Sequence, residues 1–167
     1  MTNSDTPPPP PAPGAEAPGD GTPLPEPHSA PALVIGHAEY AAGLVSAVGA
    51  ITGRGGLLVP LTNRDAGVDE IERRLAEAAD ATGARVIFTD LPAGSCAFAA
   101  RRLLRSRPEM IVVTGVTLPA LIDYVFHAEL PPTDAADHAC EMGRKAMSVM
   151  RGAAAEPPVA SGGSRAG

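Results

Sequence analysis

From Pro31 onward the sequence alternates short, continuous apolar runs with segments whose apolar residues recur at helical spacing, and few folds accept that pattern. Ala32–Ile35 is such a run, as expected of a strand covered on both faces. Ala41, Leu44, Val45, Val48 and Ile51 then follow a helical period, with Gly53 as a stop. Leu57–Leu61 is a second run whose Pro60 cannot donate to a ladder, which places it at an edge or a strand end. Val68, Ile71, Leu75 and Ala78 make one face of the next helix, acidic in its first turn and closed by Gly83. Ala84–Thr89 is a third strand with Asp90 at its end, and a helix from Ser95 to Arg105 turns Cys96, Ala99, Ala100 and Leu103 inward. Met110–Thr114 is a fourth strand. Pro119 suits the first turn of a helix running to Glu129, and a last helix is expected over Asp134–Met147 with Thr133 as its cap.

Strands alternating with helices imply an α/β domain, an open doubly wound and mainly parallel sheet with helices on both faces. Four strands cannot close a barrel. In the flavodoxin-like order 2-1-3-4 the winding reverses between the first and third strands, and ligands of such sheets bind at that reversal, beyond the carboxyl ends. Those two ends carry His37 and Asp90, far apart in sequence and neighbours in the expected fold.

The rest of the chain is of another kind. Residues 1–30 hold ten prolines, four acidic residues and neither Lys nor Arg, which predicts a disordered, proline-rich arm. Residues 151–167 are expected to be a disordered tail of small residues and prolines, leaving one domain over 31–150. The net charge of −6 and the absence of a basic, aromatic-rich stripe exclude a nucleic-acid partner. The arm lacks the charged start and apolar stretch of a signal peptide, and no run reaches membrane-spanning length, so a cytoplasmic location is expected. Cys96 and Cys140 have no metal-ligand spacing and read as buried free thiols. His127 and His138 have no partner spacing either and read as solvated or capping residues, and the arginines 101, 102, 105 and 107 as a solvated basic face.

A carboxylate that accepts one imidazole N–H orients the ring and leaves the other nitrogen's lone pair outward. That pair suits a general base, a metal ligand or a nucleophile. A metal is the weakest case, because no further cluster of His, Cys or carboxylates joins His37 and Asp90, and no cofactor is expected. Ser95 lacks the elbow of a serine nucleophile and reads as a helix cap when taken alone. A histidine nucleophile fits better, because Pro92–Cys96 opens a helix whose free N–H groups suit an anion. There Gly94 allows close backbone approach and Ser95 adds a hydroxyl. The chain shows no arginine at this site, so partners would complete the charge stabilisation.

Three blocks, "VIGHAEYAAGLVSAV", "VIFTDLPAGSCAFAARRLL" and "MIVVTGVTLPALIDYVF", resemble the enzyme IIA proteins of the mannose-type sugar phosphotransferase system (PTS), and most closely the N-acetylgalactosamine branch. The resemblance implies that His37 takes a phosphoryl group from the phosphocarrier HPr and passes it to an enzyme IIB, with membrane IIC and IID components beyond. It implies that Asp90 hydrogen-bonds His37, and that Gly94 and Ser95 line the phosphate site. It also implies a homodimer exchanging a C-terminal strand, here Ala146–Met150. Ala38 stands where the family often has Gly, Ala93 replaces the loop's first glycine, and Cys96 replaces a usual Pro. A phosphorylation-dependent regulator and the phosphotransfer subunit of dihydroxyacetone kinase are alternatives with the same fold. A flavodoxin-like ligand-binding module is a third, but "GHAEYAAG" offers no extended Ser/Thr-rich phosphate loop.

Overall fold

The computed structural model describes residues 31–152, so the expectations for the arm (1–30) and for nearly all of the tail (151–167) lie outside the described residues. In chain order the elements are β1 (Ala32–Gly36), α1 (Tyr40–Thr52), β2 (Leu58–Thr62), α2 (Val68–Thr82), β3 (Val86–Thr89), α3 (Ser95–Ser106), β4 (Ile111–Thr114), α4 (Leu118–Phe126) and α5 (Pro132–Lys145). The four strands are all parallel, in the order β2-β1-β3-β4. That is the expected open, flavodoxin-like sheet, with Pro60 on an edge strand.

Alternation along the inner strands sorts the core into two layers. Ala32, Val34, Val86 and Phe88 face a cluster with Val48 of α1, Leu121 and Tyr124 of α4 and Ala135 and Ala139 of α5. Leu33, Ile35 and Ile87 face the other way, onto Ile71 and Leu75 of α2 and Ala100 and Leu103 of α3. Each fully buried Leu, Ile or Phe contributes about 1.5–3 kcal/mol relative to exposure, which is why the inner strands carry no polar side chain before Thr89. Phe88 and Tyr124 meet edge to face at 5.2 Å. The α2 and α3 surfaces are laced by ion pairs: Arg102 reaches Asp69 and Glu72, and Arg107 reaches Asp80.

Register is what positions the site. Gly36 pairs with Thr62 across one side of β1, and Ile35 with Thr89 across the other. The residues that follow these ends, His37, Asn63 and Asp90, therefore emerge together at the carboxyl edge.

Several local expectations are corrected. Ile51 is 60 % exposed and does not join the buried face of α1. The fourth helix stops at Phe126, with His127 as its C-cap, short of Glu129. The last helix starts at Pro132, so Thr133 lies inside it and Pro131 is the N-cap. Proline at a first helical position gives up no hydrogen bond, which lets the helix begin before the polar residue that resembled a cap. Residues 147–150 follow α5 without joining a strand of this chain. No helix among the described residues is long and apolar enough to cross a membrane.

Candidate functional site

His37 leaves β1 directly after Gly36, and both of its N–H groups turn to one oxygen of Asp90. Its backbone N–H donates to Asp90 Oδ2 at 2.8 Å, and its ring Nδ1 lies 2.7 Å from the same atom. Asp90 Oδ1 accepts the Leu91 backbone N–H at 2.8 Å. The Asp90 side chain is only 8 % exposed, whereas that of His37 is 51 % exposed.

Burial pushes the Asp90 carboxyl up. The hydrogen bonds from the His37 ring and backbone, the ring's charge and the Leu91 N–H outweigh that effect and hold it below its usual value. An ionised carboxylate only accepts hydrogen bonds, so the ring proton sits on Nδ1. In the neutral ring Nε2 then carries the lone pair, on a side chain that is half exposed.

Gly36 makes this arrangement possible. A Cβ there would lie 3.1 Å from Tyr40 Cδ1 and 3.2 Å from both Cβ and Oδ2 of Asp90. The Tyr40 ring is itself pinned, because its hydroxyl donates to the Val116 carbonyl at 2.8 Å. Burial and then the negative charge of Asp90 raise the Tyr40 hydroxyl above its ordinary pKa, so it remains a donor at neutral pH.

Helix α3 supplies the second half of the site. Its N-cap is Gly94, with φ 114° and ψ −177°, a conformation that suits glycine and strains any other residue. Ser95 is the first helical residue and not the cap, which corrects its reading as a capping serine. Phe98 N–H makes the first intrahelical bond, to the Gly94 carbonyl at 2.9 Å, so the N–H groups of Ser95, Cys96 and Ala97 have no helical acceptor. They form the positive end of the helix dipole and can hold an anion. Asn63 Nδ2 approaches Ser95 Oγ at 3.5 Å, where the serine oxygen accepts, and the Ser95 hydroxyl also hydrogen-bonds the Cys96 side chain.

Three features of the site were not legible as such in the sequence. Asn63 follows β2 and reaches the site because β2 pairs in register with β1; its backbone N–H also donates to the Gly36 carbonyl at 3.2 Å. The chain does bring guanidinium groups to the rim. Arg64 pairs at 2.8 Å with Glu39, two residues past His37, and Arg101 donates to the Pro92 carbonyl at 2.9 Å. Cys96 does join His37 and Asp90, with ligand atoms of the three within 4.8 Å of one another. Burial and then the Asp90 charge push its thiol up, and Asp90 Oδ2 already accepts two N–H groups from His37. A protonated thiol is neither a thiolate ligand nor a nucleophile.

Of the residues expected at the site, His37, Asp90, Gly94 and Ser95 all lie at the carboxyl edge of the sheet, His37 and Asp90 in direct contact. Elsewhere, His127 and His138 do have a partner, each other: their rings stack 4.7 Å apart at 16°.

A family model described as "PTS system fructose IIA component" (EIIA-man) matches residues 32–140. No curated protein sequence matches the chain. Among solved structures, the chain is similar to the mannose/sorbose-specific IIA subunit of the phosphotransferase system from Enterococcus faecalis. That match has a TM-score of 0.63 at 18 % identity and covers 75 % of this chain and 98 % of the other. Phosphotransferase system component EIIA from Streptococcus agalactiae gives a TM-score of 0.65 at 16 % identity, over 71 % and 95 %. The PTS IIA protein associated with the fucose utilization operon from Streptococcus pneumoniae gives 0.60 at 16 %, over 71 % and 91 %.

Proposed function

The chain belongs to the EIIA-man family of PTS IIA components, and on that premise we propose that it is a phosphoryl carrier which takes phosphate from phospho-HPr on Nε2 of His37 and yields it to an enzyme IIB. The observation that carries the proposal is the pair of N–H bonds from His37 to a nearly buried, ionised Asp90, which leaves Nε2 as the ring's only nucleophilic atom.

In the forward step Nε2 attacks phosphorus in line. The N–P bond of the donor phosphohistidine breaks, and its electron pair returns to the donor imidazole. The Nε2–P bond forms, and the positive charge that develops on the His37 ring lies against the Asp90 carboxylate. Because one N–P bond replaces another, the reaction needs positioning and charge stabilisation more than driving force. The N–H groups that open α3 and the Ser95 hydroxyl would donate to the equatorial oxygens, with Gly94 letting that backbone approach. The second step repeats the first with an IIB residue as the nucleophile. The protein's location would be cytoplasmic, beside the membrane IIC and IID components.

We assign it a homodimeric form as well. Among the described residues β4 pairs only with β3, its residues are half-exposed, and Met147, Val149 and Met150 are exposed apolar residues just beyond α5. A second copy's residues 146–150 would cover that edge. Light scattering should then report twice the chain mass, and a monomer at working concentration would remove this part of the proposal.

The carrier role is tested by incubating the protein with enzyme I, HPr and phosphoenolpyruvate and locating the adduct by mass spectrometry. One phosphoryl group on His37, absent in His37→Gln, is expected. No labelling of the wild type, or labelling that survives in His37→Gln, would overturn the assignment. Labelled protein that gives no phosphate to any IIB would make it a regulatory end point.

A further inference from the structure

A second constellation lies at the opposite edge of the sheet. Helix α4 starts beside the carboxyl end of β4 and runs back, so its last turn sits at the amino edge. The end of α1 arrives at the same place, where Arg54 donates to the Val125 carbonyl at 3.1 Å and covers the Phe126 ring at 4.9 Å. Asp123 belongs to that last turn, His127 is the C-cap that follows it, and His138 faces them from α5. One ligand atom from each of the three residues falls within 4.8 Å of the other two.

We propose that Asp123, His127 and His138 bind a divalent cation of the zinc class, clipping α4 to α5. The Asp123 side chain is 10 % exposed, and its Oδ2 is buried with no hydrogen-bond partner among the described residues. A buried carboxylate oxygen left unpaired is costly, and a cation is the partner that removes the cost. Oδ2 points at Nδ1 of His127 from 3.4 Å, outside hydrogen-bonding distance for a well-formed pair. Two ligands each about 2.1 Å from Zn²⁺ at the tetrahedral angle stand about 3.4 Å apart. The pair is therefore spaced as two zinc ligands are.

Nδ1 of His127 now bonds the Asp123 carbonyl oxygen at 2.9 Å. On binding, the cation takes the Nδ1 lone pair and the ring proton resides on Nε2. His138 is exposed, so rotating its side chain brings its nitrogen into the first coordination sphere, and water completes it. Two imidazoles with one carboxylate favour Zn²⁺ over Mg²⁺ or Ca²⁺, which take oxygen ligands. The position, remote from His37, gives the cation a structural role.

The test is calorimetric titration of ZnCl₂ into the full chain, free of any polyhistidine tag, with melting curves with and without Zn²⁺. A single saturable site of micromolar or tighter affinity and a raised Tm are expected. His138→Ala and Asp123→Asn should each weaken binding about tenfold or more, while His37→Gln leaves it intact. His138 is exposed, so its variant decides the matter even where Asp123→Asn folds poorly. No saturable binding, affinity unchanged in His138→Ala, or binding lost in His37→Gln would each overturn the proposal.

Discussion

Replacing Asp90 by Asn keeps the shape of the side chain and removes the charge on which the His37 arrangement depends. Asp90 accepts three N–H groups, two at Oδ2 from His37 and one at Oδ1 from Leu91. Asparagine has one acceptor oxygen, so its amide nitrogen must face either Leu91 N–H or both His37 donors. With the oxygen kept toward His37, the surviving bonds become neutral and lose about half their strength, roughly 1 kcal/mol for the ring contact. The larger loss falls in the transition state. A full charge about 4 Å from the imidazolium is worth about 4 kcal/mol at an effective dielectric near 20 and about 1 kcal/mol in water. The half-exposed ring lies between these limits. The barrier to phosphorylation should rise by about 1–4 kcal/mol, a rate lower by about 5- to 10³-fold. A rapid-quench time course of phosphate uptake from phospho-HPr measures it, with circular dichroism as a check on folding. An Asn variant phosphorylated within about twofold of wild type would refute the role of the charge. The acid limb of stability should change too. The Asp90 carboxyl is held below its ordinary value of 3.8, so its contribution is complete above that value and lost as pH falls through the lowered one. The stability gap between wild type and Asp90→Asn should therefore narrow below about pH 4.

Gly36→Ala would place a Cβ 3.2 Å from Asp90 Cβ and Oδ2. It should cost about 1–3 kcal/mol in urea unfolding and slow phosphorylation about tenfold by shifting the carboxylate, and an unaltered rate would speak against the close fit. Ala38 sits at φ 48°, a left-handed conformation that glycine adopts freely. Ala38→Gly should hold stability level or raise it by up to about 1 kcal/mol, and a clear loss would contradict strain at that turn. Leu75→Ala empties a fully buried position in the α2 layer and should lower unfolding free energy by about 2–5 kcal/mol.

Element order and type are legible in the sequence because periodicity is local: each strand and helix declares itself within a dozen residues. Helix ends are less so. Thr133 resembles a cap and is not one, because Pro131 and Pro132 already set the backbone that begins α5. Ser95 gave the same impression, yet the left-handed turn that opens α3 falls on Gly94.

The site divides along the same line. The sequence alone determined that a histidine and an aspartate end the two strands on either side of the winding reversal, and strand order is enough to make them neighbours. Only the tertiary structure decided that both His37 N–H groups converge on one carboxylate oxygen, that Gly36 is the space allowing it, and that Asn63, Cys96, Arg64 and Arg101 gather around. It alone stacked His127 on His138 across two helices. The physical reason is that periodicity and capping act between residues close in sequence. Register and helix packing set distances between residues far apart, and an ångström there separates a hydrogen bond from none.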